Sequence, residues 1–226
     1  MVSNCIITER LSNSTHSKDE HSKDSLIHDN TSEIAIINNL YSCNMRRNPF
    51  FKGGTQGIVA NNYIYNPGSA AIHYNLSRAE WKGHEWVTGK MTVIGNYIEF
   101  GKDTRKGIST GIFSGPVELY WKDNPELSKP ATDNLSGSHT LVDTLLVWLN
   151  GFKVVNSSKV KDYVLVNAGA RPWDRDETDK RIVQEVKNKT GKIIDSEQEV
   201  GGYPQTKPVF EEFNADEWDL VKMIKK

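Results

Sequence analysis

The stretch Val59-Ala60-Asn61-Asn62-Tyr63-Ile64-Tyr65 decides the reading of this chain: a short apolar run ends on asparagine, and a second short run starts at once. The same phrase occurs upstream as Ile36-Ile37-Asn38-Asn39-Leu40-Tyr41 and downstream as Val93-Ile94-Gly95-Asn96-Tyr97-Ile98. Asn39 and Asn62 are 23 residues apart and Asn62 and Asn96 are 34 apart, the extra residues falling in polar sequence around Trp81 and Trp86. A period in the range of about 20–50 residues is the mark of stacked repeats. In a stack of parallel strands each round lies about 4.8 Å from the next, so equivalent side chains form ladders. An asparagine at a bend can then bond the amides of the neighbouring round, which explains why asparagine punctuates these strands.

Further strands are expected at Ile34–Ile37, Gly57–Ala60, Val117–Trp121 and Leu145–Leu149, between turns rich in Gly, Asn and Ser. None of these segments has a helical period. The C-terminal third differs. Arg175-Asp176-Glu177-Thr178-Asp179-Lys180-Arg181-Ile182-Val183-Gln184-Glu185-Val186 has acids early, apolar residues on one face and Gly191 just beyond, which predicts a short capped helix. Such a helix could cover the last round, whose open edge and core need a polar cap. The pattern predicts one all-β domain, with coils and loops over residues 1–166 and a cap and tail over 167–226. The stretch from Pro204 to Lys226 carries no firm assignment.

Composition narrows the function classes. The chain has 226 residues with 37% hydrophobic content, enough for one core. Its mean hydropathy of -0.57 and clustered aliphatic residues suit many short strands. Lys and Arg number 28 against 29 Asp and Glu, a net charge of -1, so no global basic field draws it to nucleic acid or an anionic membrane. Affinity for an anion has to come from local cations. Cys5 and Cys43 form no CxxC and no Cys/His cluster, which leaves neither a disulfide scaffold nor a zinc site, although a single disulfide stays open. No apolar run reaches the ~18 residues of a membrane span, and the N-terminus lacks the apolar stretch of a secretion signal.

Three blocks carry a family resemblance: Asn44-Met45-Arg46-Arg47-Asn48-Pro49-Phe50-Phe51-Lys52-Gly53-Gly54, Val59 to Gly68, and Asn167-Ala168-Gly169-Ala170-Arg171-Pro172. Together with Thr190-Gly191 and Gly201-Gly202-Tyr203-Pro204 they resemble the pectate lyase family, right-handed parallel β-helix enzymes that cleave acidic polysaccharide by β-elimination. The similarity spans residues 5 to 204 and is that of a C-terminal portion lacking the N-terminal coils. It implies Arg47 as the catalytic base, from the family's Arg-x-Pro-x-x-Lys/Arg-Gly-Gly motif. It implies Lys23, about one coil earlier in His21-Ser22-Lys23-Asp24-Ser25-Leu26, and Lys52 as substrate-binding cations. Lys52 replaces a second arginine, a point charge in place of a bidentate fork. The family uses calcium, but the coils that bear its acidic ligands precede this chain. Glu9, Asp19, Glu20 and Asp29 lack the family spacing, so no complete calcium site is expected. The resemblance also implies an extracellular protein with a polygalacturonate-like partner. The exposed N-terminal edge near Ile6 and Ile7 predicts self-association.

Elimination from a uronate removes the C5 proton, which is weakly acidic until cations neutralise the adjacent carboxylate and the developing enolate-like charge. A guanidinium is normally protonated, with a pKa above ~12, and crowding by other cations lowers that value. The plainer readings stand beside these. Arg-x-Pro is commonly a solvated turn, and Lys23 lies in the charged run His16–Asp24, which by default is a solvated surface. His16, His21 and His28 read as exposed loop residues, and Trp81, Trp86 and Trp121 could stack on sugar rings or simply pack. A non-catalytic glycan-binding β-helix that keeps the groove without the chemistry is the alternative function.

Overall fold

A computed structural model describes residues 1–13, 17, 20–125, 135–204, 213–219, 221, 222, 224 and 225. Its strands fall into three parallel sheets that the chain visits in rotation. The first sheet contains β1 (Val2–Ser3), β4 (Ile34–Ile37), β7 (Gln56–Ala60), β10 (Gly89–Ile94), β13 (Val117–Lys122) and β15 (Thr140–Leu141). The second contains β2 (Ile6–Thr8), β5 (Leu40–Ser42), β8 (Tyr63–Tyr65) and β11 (Tyr97–Glu99). The third contains β3 (Leu26–Ile27), β6 (Phe50–Lys52), β9 (Ile72–Asn75), β12 (Gly111–Ser114) and β14 (Leu135–Gly137). Within each sheet a strand pairs in parallel with its equivalent in the next round, as in Ile36 with Val59 and Val59 with Val93. The expected strands at Ile34–Ile37, Gly57–Ala60 and Val117–Trp121 are present with small extensions. The architecture is therefore mostly parallel β-sheet, with two α-helices among the described residues and none long and apolar enough to cross a membrane.

The bend between the first and second sheets repeats the asparagine phrase in three dimensions. Asn38, Asn61, Gly95 and Asp123 all have positive φ, between 52° and 66°, and each precedes a ladder asparagine. Asn, Asp and Gly tolerate this left-handed conformation best, so the first residue of each pair turns the chain. The second residue stacks. Asn39 donates from its backbone N–H and its side-chain Nδ2 to Asn62 Oδ1 at 3.0 and 2.9 Å. Asn62 does the same to Asn96, and Asn96 to Asn124. Asn124 had no expectation attached to it. At the other end Cys5 occupies the equivalent position and donates its backbone N–H to Asn39 Oδ1 at 2.9 Å.

Strand alternation points Ile36, Phe51, Val59, Ile64, Tyr74, Met91, Val93, Ile98 and Phe113 inward as one core. Two outer sides are also covered. Ala35, Ile37, Ile58 and Ala60 on the outside of the first sheet pack with Leu149 and Phe152. The expected strand at Leu145–Leu149 is thus not formed: the segment lies across the first sheet, where Leu146 and Val147 donate backbone N–H groups to Thr92 Oγ1 at 3.2 Å. Two of its amides are satisfied by a side chain, and Leu149 packs on the sheet while Leu145 and Trp148 stay exposed.

The outside of the second sheet is covered by helices. α1 (Ser157–Asn167) and α2 (Glu177–Asn188) bury Val160, Val164, Leu165, Ile182, Val183 and Val186 against Leu40, Cys43, Tyr63 and Tyr65. α2 is the expected helix moved two residues along, capped by Asp176, whose side chain accepts from the Asp179 N–H at 2.8 Å. α1 was not expected, and it interrupts the predicted run of coils and loops to residue 166. Both helices lie along the stack, in contact with a sheet flank, instead of closing the last round. Buried Glu99 of β11 fastens them: it pairs with Lys161 at 3.0 Å and Lys189 at 2.6 Å and accepts from Tyr63 Oη at 2.8 Å. In the tail, β16 (Trp218–Asp219) and β17 (Ile224–Lys225) form a small antiparallel pair.

Cys5 and Cys43 are both free. β1, β2 and β3 are the end strands of the three sheets, so among the described residues one end of the stack presents three unpaired edges, with Val2 and Leu26 exposed.

Candidate functional site

The outer side of the third sheet exposes Asn75 and Ser114 at the ends of β9 and β12. Phe50, His73 and Ile112 occupy one register row across three rounds, and Lys52, Asn75 and Ser114 the row beside it. A cavity of about 310 Å³ lies over these rows. Lys23, Arg46 and Arg47 form one wall, and among the described residues no carboxylate lines it.

The cations are placed by the turn that leads into the third sheet. Lys23 faces Arg46 in a parallel bridge between consecutive rounds. Arg46 donates its backbone N–H to Ser22 O at 3.1 Å, and Asp24 and Ser25 donate back to Arg46 O and Arg47 O at 3.1 and 3.0 Å. Arg47 then bends the chain with φ of 68°, a conformation uncommon for a side chain of this size and frequently found at functional positions. Its guanidinium lies 5.8 Å from the centroid of the Phe50 ring. Among the described residues no carboxylate is within ion-pair distance of Arg46 or Arg47. Partial burial, and after it the neighbouring charge of Arg46, hold the Arg47 pKa below the usual guanidinium range.

The sequence-derived candidates are thus only partly gathered. Lys23 and Arg47 share the cavity as expected, and Arg46 joins them, a residue the spacing argument passed over. Lys52 is beside the cavity, but its ammonium turns away from it. It is buried and pairs with Asp29 at 2.9 Å and with Glu80. Trp81 Nε1 donates to the same Asp29 at 2.7 Å, so Trp81 is a packing residue over this ion pair. Although burial pushes Asp29 upward, its bonds with Lys52 and Trp81 outweigh that and leave its carboxyl below the usual range. Trp86 is exposed beneath the Arg78 guanidinium, 4.1 Å from its ring, and Trp121 packs edge-on against Phe113.

The histidines divide as well. His28 is exposed as expected, but His21 is part-buried with its Nδ1 3.1 Å from Lys23 Nζ, and His16 and Asp19 lie outside the described residues. His73, which had no assignment, is the floor of the cavity. It is buried and stacked on Phe50 at 4.1 Å and 15°. Burial pushes its pKa down to about 3, so the ring is neutral at physiological pH.

Calcium prefers six to eight oxygen ligands, carboxylates among them. The described wall of this cavity, Lys23, Arg46 and Arg47, is cationic and does not fit that ion. No protein-family model and no curated protein matches the chain. The functional argument therefore rests on the geometry of the site and the motifs that led to it.

Proposed function

We propose that this chain is a right-handed parallel β-helix of the pectate lyase type, and that its open third sheet binds an acidic, polygalacturonate-like glycan and cleaves it by β-elimination. The rotation of the chain through three parallel sheets is compatible with that solenoid, and right-handed crossovers are the strong preference for parallel strands. The observation that carries the functional reading is the group Lys23, Arg46 and Arg47, three cations that line one cavity.

In this reading Lys23 and Arg46 hold the uronate carboxylate and neutralise it, which acidifies the C5 proton. Arg47, with its lowered pKa, takes that proton. The C5–H and C4–O4 bonds break, the C4–C5 double bond forms, and the departing oxygen takes a proton from water. No step passes through calcium. Secretion, as in the family, belongs to the same proposal.

The test is ultraviolet absorbance of the unsaturated product with polygalacturonate, with and without added calcium. A rise in absorbance supports the lyase. Glycan binding without it supports the non-catalytic β-helix, a reading favoured by the withdrawal of the Lys52 ammonium to Asp29 and Glu80.

A further inference from the structure

Among the described residues the cavity is charged at one end only. Its cations belong to the first two rounds it spans: Lys23 before β3, then Arg46 and Arg47 before β6. The following two rounds add His73 and Asn75 from β9 and Ile112 and Ser114 from β12, with no cation among them. At about 4.8 Å per round, the cavity runs about 14 Å from its cationic end to its neutral end. That is long enough for more than one sugar residue.

Three further observations keep the far end neutral. His73 is stacked on Phe50 and stays uncharged down to acid pH, since its pKa is held at about 3. Lys52 adjoins Asn75 in the register of the sheet, but its charge is compensated by Asp29 and Glu80. Ile112 offers only apolar surface. A polymer with a carboxylate on every residue would have to place one over this shelf without a counter-charge, at a desolvation penalty that binding at the cationic end does not return.

Building on the proposed glycan reading, we infer that the site selects an acidic glycan of low charge density. One carboxylate sits against Lys23, Arg46 and Arg47, and the neighbouring residue, over Phe50, His73 and Ser114, is a neutral sugar or an esterified uronate. Phe50 and His73, stacked face to face, present uncharged ring edges to that sugar.

The experiment is calorimetric titration of the full chain with three probes: fully de-esterified polygalacturonate, the same polymer partially methyl-esterified, and a fully esterified one. The expected order is tightest binding to the partially esterified polymer, several-fold weaker to the de-esterified one, and weakest to the fully esterified one. Equal or tighter binding of the de-esterified polymer overturns the inference while leaving the glycan reading intact. Failure of all three to bind overturns both. Asn75→Lys provides the second arm, because it adds a cation at an exposed position of the neutral end. It should shift preference toward the de-esterified polymer by several-fold, and an unchanged preference in a variant with wild-type melting also overturns the inference.

Discussion

Lys23 is bridged across the parallel stack to Arg46, not to Arg47. The two cations are therefore held side by side by backbone pairing, and the next residue, Arg47, turns with positive φ into the same cavity. Arg46→Ala should weaken binding of an acidic glycan by about tenfold, or ~1.4 kcal/mol, with a smaller loss in high salt because Arg46 is exposed. Calorimetric titration at two ionic strengths checks both the loss and its salt dependence.

Asn62 is completely buried and its side chain serves two neighbouring rounds. Oδ1 accepts from the Asn39 backbone and side chain, while Nδ2 donates to Ile36 O and Asn96 Oδ1. Removing it strands several buried polar groups, each worth about 1–3 kcal/mol. Asn62→Ala should lower unfolding stability in urea by more than about 2 kcal/mol, against no more than about 0.5 kcal/mol for a surface substitution such as Lys90→Ala.

Asp24 and His73 titrate in opposite senses. Burial, only partly offset by Arg10 and Ser25, raises Asp24 to about 7, and burial lowers His73 to about 3. Between pH ~4 and ~6.5 the folded chain holds a proton on Asp24 that the unfolded chain has lost, so this group makes stability fall as pH rises. His73 is the reverse: the unfolded chain holds the proton, and stability rises with pH. For these two groups the slopes nearly cancel. His73→Phe should expose a falling slope over that window, and Asp24→Asn a rising one, each at most about 1.4 kcal/mol per pH unit. Urea unfolding at a series of pH values checks the two signs.

Lys52 tests the division between site and scaffold. Its ammonium is enclosed by Asp29 and Glu80, so Lys52→Met leaves the largely buried Asp29 without its cation. Breaking such a pair should destabilise the chain by about 1–3 kcal/mol. Thermal melting checks this, alongside a glycan titration in which Lys52→Met changes affinity less than Arg46→Ala does.

The parallel stack was legible because one residue type serves two purposes at one bend. Asn61 tolerates the left-handed turn and Asn62 forms the ladder, so the pair is visible as a repeated phrase. Asp123-Asn124 does the same work but is followed by Pro125, and reads as an ordinary turn. α1 was hidden because Ser157 to Asn167 has little amphipathic contrast. Its stability comes from packing on Tyr63 and Tyr65 and from Asp123, which accepts from the Ser157 N–H at 2.9 Å. Leu145–Leu149 has strand-like composition, yet the first sheet it covers already pairs its own strands. At the site, counting by rounds brought Lys23 close to Arg47. The register that selects Arg46, and the burial of Lys52 by Asp29 and Glu80 from separate segments, left no local trace in the sequence.

The central claim is that Arg47 removes the C5 proton of a uronate held by Lys23 and Arg46, and the most direct measurement compares the wild-type chain with Arg47→Lys on partially esterified polygalacturonate. Unsaturated product is followed by ultraviolet absorbance, and folding by thermal melting. The account predicts product from the wild type and none from Arg47→Lys, with stability changed by no more than about 0.5 kcal/mol, since a lysine keeps the charge but not the position of the base. Near-normal turnover by a folded Arg47→Lys chain, or a folded wild type that yields no unsaturated product, would contradict it.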